Sequence, residues 1–275
     1  MGKRFRRLNL RKTLFLLPNL ITLTSIFCGF DSIRRSATAT SADDFYRAAL
    51  LIVFAMFFDM LDGRVARLTK TQSAFGLQID SLADIVSFGV APSLLVYRWS
   101  LHYFDIVGLV AAFAFTACGA IRLARFNVLS MQEDGKPAKP SKYIVGLPIP
   151  GAAGILVSIV VANQAVAGVF GREEHAWAIL AVTLGLAVLM VSTVRFRSLK
   201  DLRLNLRTAL FVAFAIASSA FISARMKPAF VLVWLLGFYV VVGIFETLWA
   251  LPGNVRRALQ APDLRDSRPP SDGGS

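Results

Sequence analysis

Four aspartates lie close together at the ends of two apolar stretches, and they are the residues best suited to chemistry. Asp59 and Asp62 are three positions apart, and Asp80 and Asp84 are four apart. Because helical residues at these spacings share one face, two adjacent helices would direct all four carboxylates into one cavity. A single aspartate at the centre of a membrane helix costs about 2.5–3.5 kcal/mol on insertion scales. Mutual repulsion raises that cost, so a structural role does not account for the group.

Bound divalent cations do account for it, since they neutralise carboxylates that have too few cationic side chains nearby. Oxygen-only ligands suit Mg²⁺ or Mn²⁺ better than zinc. Several carboxylates together can hold two ions a few ångströms apart, as in two-metal phosphoryl-transfer sites. We therefore predict that Asp59, Asp62, Asp80 and Asp84 bind divalent metal, as two ions.

Small side chains beside the aspartates leave room for a ligand. Gly63, Ala66 and Gly76 would let a phosphate chain or a flat ring approach the helix backbone, although small residues also let helices pack closely. Their spacing among the aspartates favours a wall that faces a ligand. Arg67 is a candidate phosphate contact, and the alternative is a cation that only flanks a membrane span.

The elements that would position these residues are membrane helices. The chain has 275 residues, of which 56% are hydrophobic, and its mean hydropathy is +0.60. A membrane-crossing helix needs roughly 20 mostly apolar residues. Eight stretches qualify: 14–33, 45–62, 74–97, 104–123, 148–169, 175–194, 208–224 and 229–251. The sequence therefore predicts an all-α polytopic membrane helical bundle of about eight transmembrane helices.

One membrane domain with two flanking segments accounts for the whole chain. Residues 1–13 form a basic juxtamembrane segment that could lie on an anionic lipid surface. Residues 14–251 form the membrane domain, and 252–275 are expected to be a disordered cytoplasmic tail. A basic start, an apolar core at 14–30 and small residues at 37–39 also resemble a secretory signal. The apolar core is long for a signal, so we expect it to remain as the first span.

Charge is distributed unevenly between the predicted loops. The net charge is +13, and 23 of the 30 Lys and Arg residues fall in segments predicted inside, against 7 outside. Such a bias places both termini in the cytoplasm, with the chain in the cell (inner) membrane. The inner loops 63–73, 127–143 and 195–207 are the polar ones, so we expect a cytoplasmic active site. No basic groove interleaved with aromatics is present, so no nucleic-acid partner is expected.

Cysteines and histidines offer no second site. Cys28 and Cys118 lie inside predicted spans and do not have the paired spacing of a zinc site. His102 and His175 fall near outer loops and form no cluster, so we expect no metal there.

Eight residues stand at defined spacing within 26 positions: Asp59-x-x-Asp62-Gly63-x-x-Ala66-Arg67-x8-Gly76-x3-Asp80-x3-Asp84. This pattern resembles the complete motif of the CDP-alcohol phosphatidyltransferase family. The resemblance implies that an alcohol attacks the β-phosphate of a CDP-linked lipid and releases CMP. It also implies a homodimer.

The same resemblance implies a division of labour among the site residues. Asp59, Asp62 and Asp80 would bind the metals, and Asp84, close to them, would be the general base for the acceptor hydroxyl. The small residues Gly63, Ala66 and Gly76 would line the cytidine and diphosphate pocket. Two residues of the first span, Asn19 and Thr22, complete the predicted CDP-lipid-binding set together with Arg67.

Five further segments resemble the bacterial and archaeal phosphatidylserine synthase branch of this family: 18–29, 87–92, 118–127, 146–153 and 192–196. That branch implies CDP-diacylglycerol as donor and L-serine as acceptor. Arg122 and Arg125 are three positions apart, and an arginine fork matches the serine carboxylate. Asn127 and Lys142 are further candidates for the acceptor site. The alternative is that these cations only flank spans or bind lipid phosphates.

Other functions remain open at this stage. A different acceptor, such as glycerol 3-phosphate, an inositol phosphate or choline, would leave the aspartate motif unchanged. A cation-coupled transporter would also carry acids within the membrane. Such transporters often have internal repeats and acids near the bilayer midplane, whereas here the acids lie at the inner ends of adjacent spans and no repeat is visible.

Overall fold

A computed structural model describes residues 10–69, 71, 73–130, 143–166 and 169–197, and beyond these 218–219, 230–231, 233–238 and 240–242. The described helices are α1 (Leu10–Thr38), α2 (Ala42–Thr69), α3 (Ala74–Asp84), α4 (Ala91–Trp99), α5 (Asp105–Ser130), α6 (Ile149–Ala165) and α7 (Glu173–Val191). A π-helical turn, Ile85–Val90, joins α3 to α4, and short 3-10 helices lie at Leu101–Phe104 and Val169–Gly171. The predicted all-α class is therefore confirmed, with one small correction given below.

Helices α1 and α2 form an antiparallel hairpin with a hydrogen-bonded turn. Ser41 and Asp44 cap the start of α2 reciprocally: the Asp44 carboxylate accepts from Ser41 N at 3.0 Å, and Ser41 Oγ accepts from Asp44 N at 3.2 Å. This is a capping box, which satisfies amides that the first turn leaves unpaired. Hydrogen bonds from the Ser41 hydroxyl and from the Thr40 and Ser41 amides lower the pKa of Asp44.

The contact between α1 and α2 uses hydroxyls as well as small side chains. Ser25 Oγ donates to Ala55 O at 3.0 Å, and Ser32 Oγ donates to Ala48 O at 2.8 Å. Most buried residues of α1 have small or hydroxyl side chains and recur at spacings of three and four: Thr22, Ser25, Gly29, Ser32 and Ser36. Small residues let membrane helices approach closely, so this face brings the two backbones together along their length.

The third span is a helix with a local change of pitch. Ser73 caps α3 by accepting from Gly76 N at 2.9 Å. The π-helical turn follows directly after Asp84 and packs against α1, where Ser87 Oγ donates to Ser25 O at 3.1 Å. A Cβ on Gly29 would lie 2.8 Å from Ser87 Cα, so only glycine allows this approach. Such π turns are rare and often occur at functional sites.

The remaining described helices close the bundle around α4. Helix α5 packs on α7, and α6 packs on α2. The core is apolar and centred on fully buried residues of several helices: Ile52, Phe88, Leu95, Phe115, Ile149, Leu156 and Met190. Within this bundle the C-terminal ends of α2 and α5 lie close to α3, which is where the predicted site residues are.

Two short strands correct the purely helical prediction. Tyr143–Val145 (β1) pairs antiparallel with Arg195–Arg197 (β2), in segments expected to be loops. Gly146 leaves β1 with a φ of +79°, and a Cβ there would collide with Met190 O. The pairing ties the start of α6 to the end of α7. A run of three residues is too short to show a strand period in sequence.

Three described helical segments are long and apolar enough to cross a membrane by length and composition: Phe75–Trp99, Leu101–Leu129 and Glu173–Val191. The chain is therefore a helical membrane protein. These segments correspond to three of the eight predicted spans, 74–97, 104–123 and 175–194. Helices α1 and α2, at the predicted spans 14–33 and 45–62, do not meet the same criteria, and α6, at 148–169, is shorter. Stretches 208–224 and 229–251 lie largely outside the described residues, so the count of eight spans is not established. Residues 1–9 and 252–275, which include most of the predicted juxtamembrane segment and the whole tail, also lie outside them.

Candidate active site

Three of the four predicted aspartates meet at one point between α2 and α3. One carboxylate oxygen from each of Asp59, Asp62 and Asp80 lies within 4.8 Å of the other two. Asp59 and Asp62 face the same way because they are one helical turn apart on α2, and Asp80 reaches them from α3. The predicted convergence of carboxylates from two helices is therefore present for these three residues.

Asp62 is the most firmly held member of the cluster. Its side chain is 3% exposed, and its Oδ2 accepts from Thr22 Oγ1 at 2.6 Å. The guanidinium of Arg67 lies near enough to attract it electrostatically. Asp62 thus connects α1 to the metal-binding face of α2.

Asp84 lies beside Asp59 and Asp80. Its Oδ1 is buried and has no hydrogen-bond partner among the described residues. Arg122 of α5 is the cation that faces it. The fourth carboxylate is therefore in the same site, with an oxygen left to accept a proton or a ligand.

The donor set fits a hard divalent cation. All the candidate ligand atoms are carboxylate oxygens, which suit Mg²⁺ or Mn²⁺. Four carboxylates with two nearby arginines, Arg67 and Arg122, leave an excess of negative charge, and a buried oxygen without a partner is costly unless something binds it. Asp59, Asp62 and Asp80 could hold an ion together, with Asp84 adjacent.

The small residues predicted to line a ligand pocket lie on α2 and α3, the helices that carry the acids. A Cβ on Gly63 would lie 3.5 Å from the Arg67 guanidinium, which therefore folds back over this glycine. A Cβ on Gly76 would lie 3.2 Å from Ser73 Oγ and 3.8 Å from Asn19 Oδ1. The amide of Asn19 on α1 therefore lies at the start of α3.

Ala66 and Thr22 are the other two residues predicted to contact the CDP-lipid. Ala66 is half-buried on α2. Thr22 is buried at the site, but its hydroxyl is occupied by Asp62 rather than directed into open space. The prediction that Thr22 contacts the CDP-lipid directly is not tested by this geometry.

The four acceptor candidates are placed differently from one another. Arg122 is 9% exposed and faces Asp84, whereas Arg125 is exposed on α5. Asn127 donates from Nδ2 to Ser81 Oγ at 2.9 Å, which links the end of α5 to α3. Lys142 lies outside the described residues. Arg122 and Asn127 are therefore the two that the fold brings toward the acids.

Ser81 and the π-helical turn were not predicted as parts of the site. Ser81 follows Asp80 and carries the link to Asn127, but an isolated serine on a membrane helix gives no signal of its own. The turn at Ile85–Val90 has no distinctive composition apart from Gly89. Both become visible only when α1, α3 and α5 are assembled.

Comparison with known proteins agrees with the geometry. The family model described as CDP-alcohol phosphatidyltransferase matches residues 15–194. A Helicobacter pylori protein named CDP-diacylglycerol–serine O-phosphatidyltransferase is 39% identical over 238 residues, covering 86% of this chain and 93% of the relative. Proteins of the same name from Mycobacterium bovis and Bacillus subtilis are 31% identical over 262 residues and 32% identical over 184 residues.

Those two alignments cover 92% and 67% of this chain, and 84% and 91% of the relatives. The match spans α1 to α7, including all four aspartates and the wall beside them. With this coverage, and with the motif carboxylates assembled in space, the chain belongs to the CDP-alcohol phosphatidyltransferase family.

Proposed function

We propose that this membrane enzyme transfers the phosphatidyl group of CDP-diacylglycerol to the hydroxyl of L-serine, with release of CMP. The observation that carries the proposal is the meeting of Asp59, Asp62 and Asp80, with Asp84 beside them, in a chain of this family. The choice of serine is supported by the names of the relatives, which align over most of the chain.

The carboxylates of Asp59, Asp62 and Asp80 hold the divalent metal, which we propose to be two ions of Mg²⁺ or Mn²⁺. When bound, the metal neutralises the diphosphate and stabilises charge on the transferring group and on CMP. Arg67, folded over Gly63, adds a cation beside the position expected for the diphosphate. The glycine itself keeps that approach open.

Asp84 accepts the proton of the serine hydroxyl. Its buried Oδ1 has no hydrogen-bond donor among the described residues, so it is available to a hydroxyl. The serine oxygen then forms a bond to the β-phosphorus, the bond from that phosphorus to the oxygen bridging to CMP breaks, and CMP leaves with the electron pair. A positioned base of this kind needs a short hydrogen bond to the proton it takes.

Arg122 and Asn127 orient the acceptor. A guanidinium matches a carboxylate in a bidentate arrangement, and Arg122 lies close enough to Asp84 to hold serine beside the base. Asn127 is fixed by Ser81, one residue after Asp80. Arg125 and Lys142 remain candidates for the rim of the same pocket.

The wider assignments also form part of the proposal. We propose eight spans in the cell membrane, with both termini and the site on the cytoplasmic side, and a homodimer in the bilayer. The excess of Lys and Arg in the predicted inner segments supports the orientation. A cytoplasmic site would receive serine directly while the lipid tails stay in the membrane.

A CMP-release assay tests the function. Purified protein in detergent is supplied with CDP-diacylglycerol, Mn²⁺ or Mg²⁺, and either L-serine, glycerol 3-phosphate, an inositol phosphate or choline. We expect CMP release with L-serine, loss of activity on chelation and recovery when the metal is returned. Release with glycerol 3-phosphate alone would overturn the serine assignment, and no release with any alcohol would overturn the enzymatic one.

A further inference from the structure

Thr22 makes a hydrogen bond that differs in kind from the others on its helix face. Its side chain is 5% exposed, and Oγ1 lies 2.6 Å from Asp62 Oδ2 and 3.1 Å from Pro18 O. The hydroxyl has one proton, so it donates to one of these two oxygens at a time. The shorter distance favours the carboxylate and is typical of a charge-assisted bond.

The neighbouring hydroxyls of the same face have a packing role. Ser25 and Ser32 donate to backbone carbonyls of α2, which requires no particular side chain on that helix. Thr22, in contrast, donates to the carboxylate of Asp62, which belongs to the cluster formed with Asp59 and Asp80. Thr22 therefore links α1 to a carboxylate of the acidic cluster on α2, which the hydrogen bonds of Ser25 and Ser32 do not.

This bond determines how the Asp62 carboxylate is oriented. The last torsion of an aspartate is broad, so packing alone holds the carboxylate plane poorly. With Oδ2 held from α1, the group cannot rotate freely, and an oxygen stays directed at Asp59 and Asp80. Partners that orient metal ligands in this way typically change metal affinity 10–100-fold when removed.

We propose that Thr22 is a positioning residue for the metal site, which it serves by orienting Asp62. The inference rests on the proposed metal-dependent transfer, because the ion has to be held by this cluster. In this role the Thr22 hydroxyl binds the carboxylate of Asp62, a proposed metal ligand, rather than the CDP-lipid.

The test measures Mn²⁺ binding to the full-length protein in detergent by calorimetry, separately from activity. Thr22→Val keeps the shape of the side chain and removes the hydroxyl, so its Kd for Mn²⁺ should rise about 10–100-fold. Thr22→Ser keeps the hydroxyl and should bind Mn²⁺ close to the original affinity. In the CMP assay, raising the Mn²⁺ concentration should recover much of the rate of Thr22→Val.

Thr24→Val is the matched control. Thr24 lies on the same helix but is exposed, and its hydroxyl donates only to Leu20 O at 2.9 Å. The same chemical change there should leave the Kd for Mn²⁺ unaltered. If Thr22→Val does not yield a monodisperse protein, Thr22→Ala, which is smaller, takes its place in the comparison.

The outcomes separate the inference from the proposed function. Equal Mn²⁺ affinity in Thr22→Val and Thr24→Val, or a Thr22→Ser variant as weak as Thr22→Val, would overturn the role of Thr22 alone. Wild-type protein that binds Mn²⁺ but releases no CMP would overturn the transfer and leave the Thr22 comparison standing. Wild-type protein that binds no Mn²⁺ would overturn both.

Discussion

Asp84 differs from the other three aspartates in the groups that surround it. Asp59, Asp62 and Asp80 direct oxygens at one another, whereas Asp84 lies at the end of α3 with a buried oxygen that no described residue satisfies. It also faces Arg122 across the site. At the scale of single residues, the same side-chain type therefore supports two roles, metal ligand and proton acceptor.

Asp84→Asn is expected to remove the base while keeping the shape of the side chain. The rate of CMP release should fall about 10²–10⁴-fold, the contribution typical of a positioned general base. Binding of the CDP-lipid should change much less, because the cluster of Asp59, Asp62 and Asp80 remains. Single-turnover CMP release and lipid binding would both be measured, and near-normal turnover would contradict the assignment.

Arg122→Lys keeps a positive charge and removes the planar fork. If Arg122 binds the serine carboxylate, the KM for serine should rise roughly 10–100-fold, as expected for a charged hydrogen bond worth about 1.5–3 kcal/mol. The KM for CDP-diacylglycerol should change little. Arg98→Lys, at an exposed position in the last turn of α4, serves as control. A larger effect on the lipid KM would instead place Arg122 on the lipid phosphates.

The π-helical turn is the element that most directly supports Asp84. It begins at the next residue, Ile85, and is held against α1 by the Ser87 to Ser25 hydrogen bond. Gly29 lies where the two backbones come closest. The position of Asp84 thus depends on how α1 packs against the π-helical turn, although α1 carries none of the four aspartates.

Gly29→Ala is expected to separate these two elements. The added Cβ would lie 2.7 Å from Ser87 Oγ and 2.8 Å from Ser87 Cα, so backbone has to move. Overpacking of this kind costs about 1–3 kcal/mol, and the shift of Asp84 should lower turnover as well. Thermal midpoints and CMP release would be measured together.

Gly185→Ala provides the comparison on α7. A Cβ at Gly185 meets nothing within 4 Å, so the same substitution should be neutral or slightly stabilising. Equal midpoints and equal turnover for the two alanine variants would show that the contact at Gly29 does not constrain the turn.

Across the whole molecule, one end of the bundle carries the chemistry and the other carries aromatic rings. Asp62 near the end of α2, Ser81 on α3 and Asn127 near the end of α5 all lie at one end. At the other, Phe104 packs on Trp177 with ring centroids 4.5 Å apart, and Trp99 contacts Gly171. Trp is enriched at membrane–water interfaces, so we propose that this end of the bundle lies at such an interface.

Labelling with a membrane-impermeant maleimide tests the proposed orientation. Thr40 lies in the turn between α1 and α2 and Leu68 lies in the last turn of α2, and both are exposed. A Thr40→Cys variant should react in intact cells, whereas Leu68→Cys should react only after permeabilisation. The unaltered chain, with Cys28 buried and Cys118 half-buried, gives the background. Labelling of Leu68→Cys in intact cells, with Thr40→Cys labelled only after permeabilisation, would place the site on the outer side of the membrane.

The chemistry that we propose for the site was predicted from the sequence alone. The cost of four acids in apolar stretches indicated metal, and residue spacing along α2 and α3 predicted which carboxylates share a face, because helical geometry relates nearby residues directly. The motif then indicated the family, which the comparison confirmed. The all-α class was predicted from apolar runs long enough for membrane helices.

The contacts between helix faces could be seen only in the three-dimensional structure. Three contacts join residues that are about 40 or more positions apart in the chain: the bond from Thr22 to Asp62, the approach of Arg122 to Asp84, and the pairing of β1 with β2. Such contacts depend on how closely helices pack, which small residues such as Gly29 set from another part of the chain. Local spacing does not contain that information, since it describes one helix at a time.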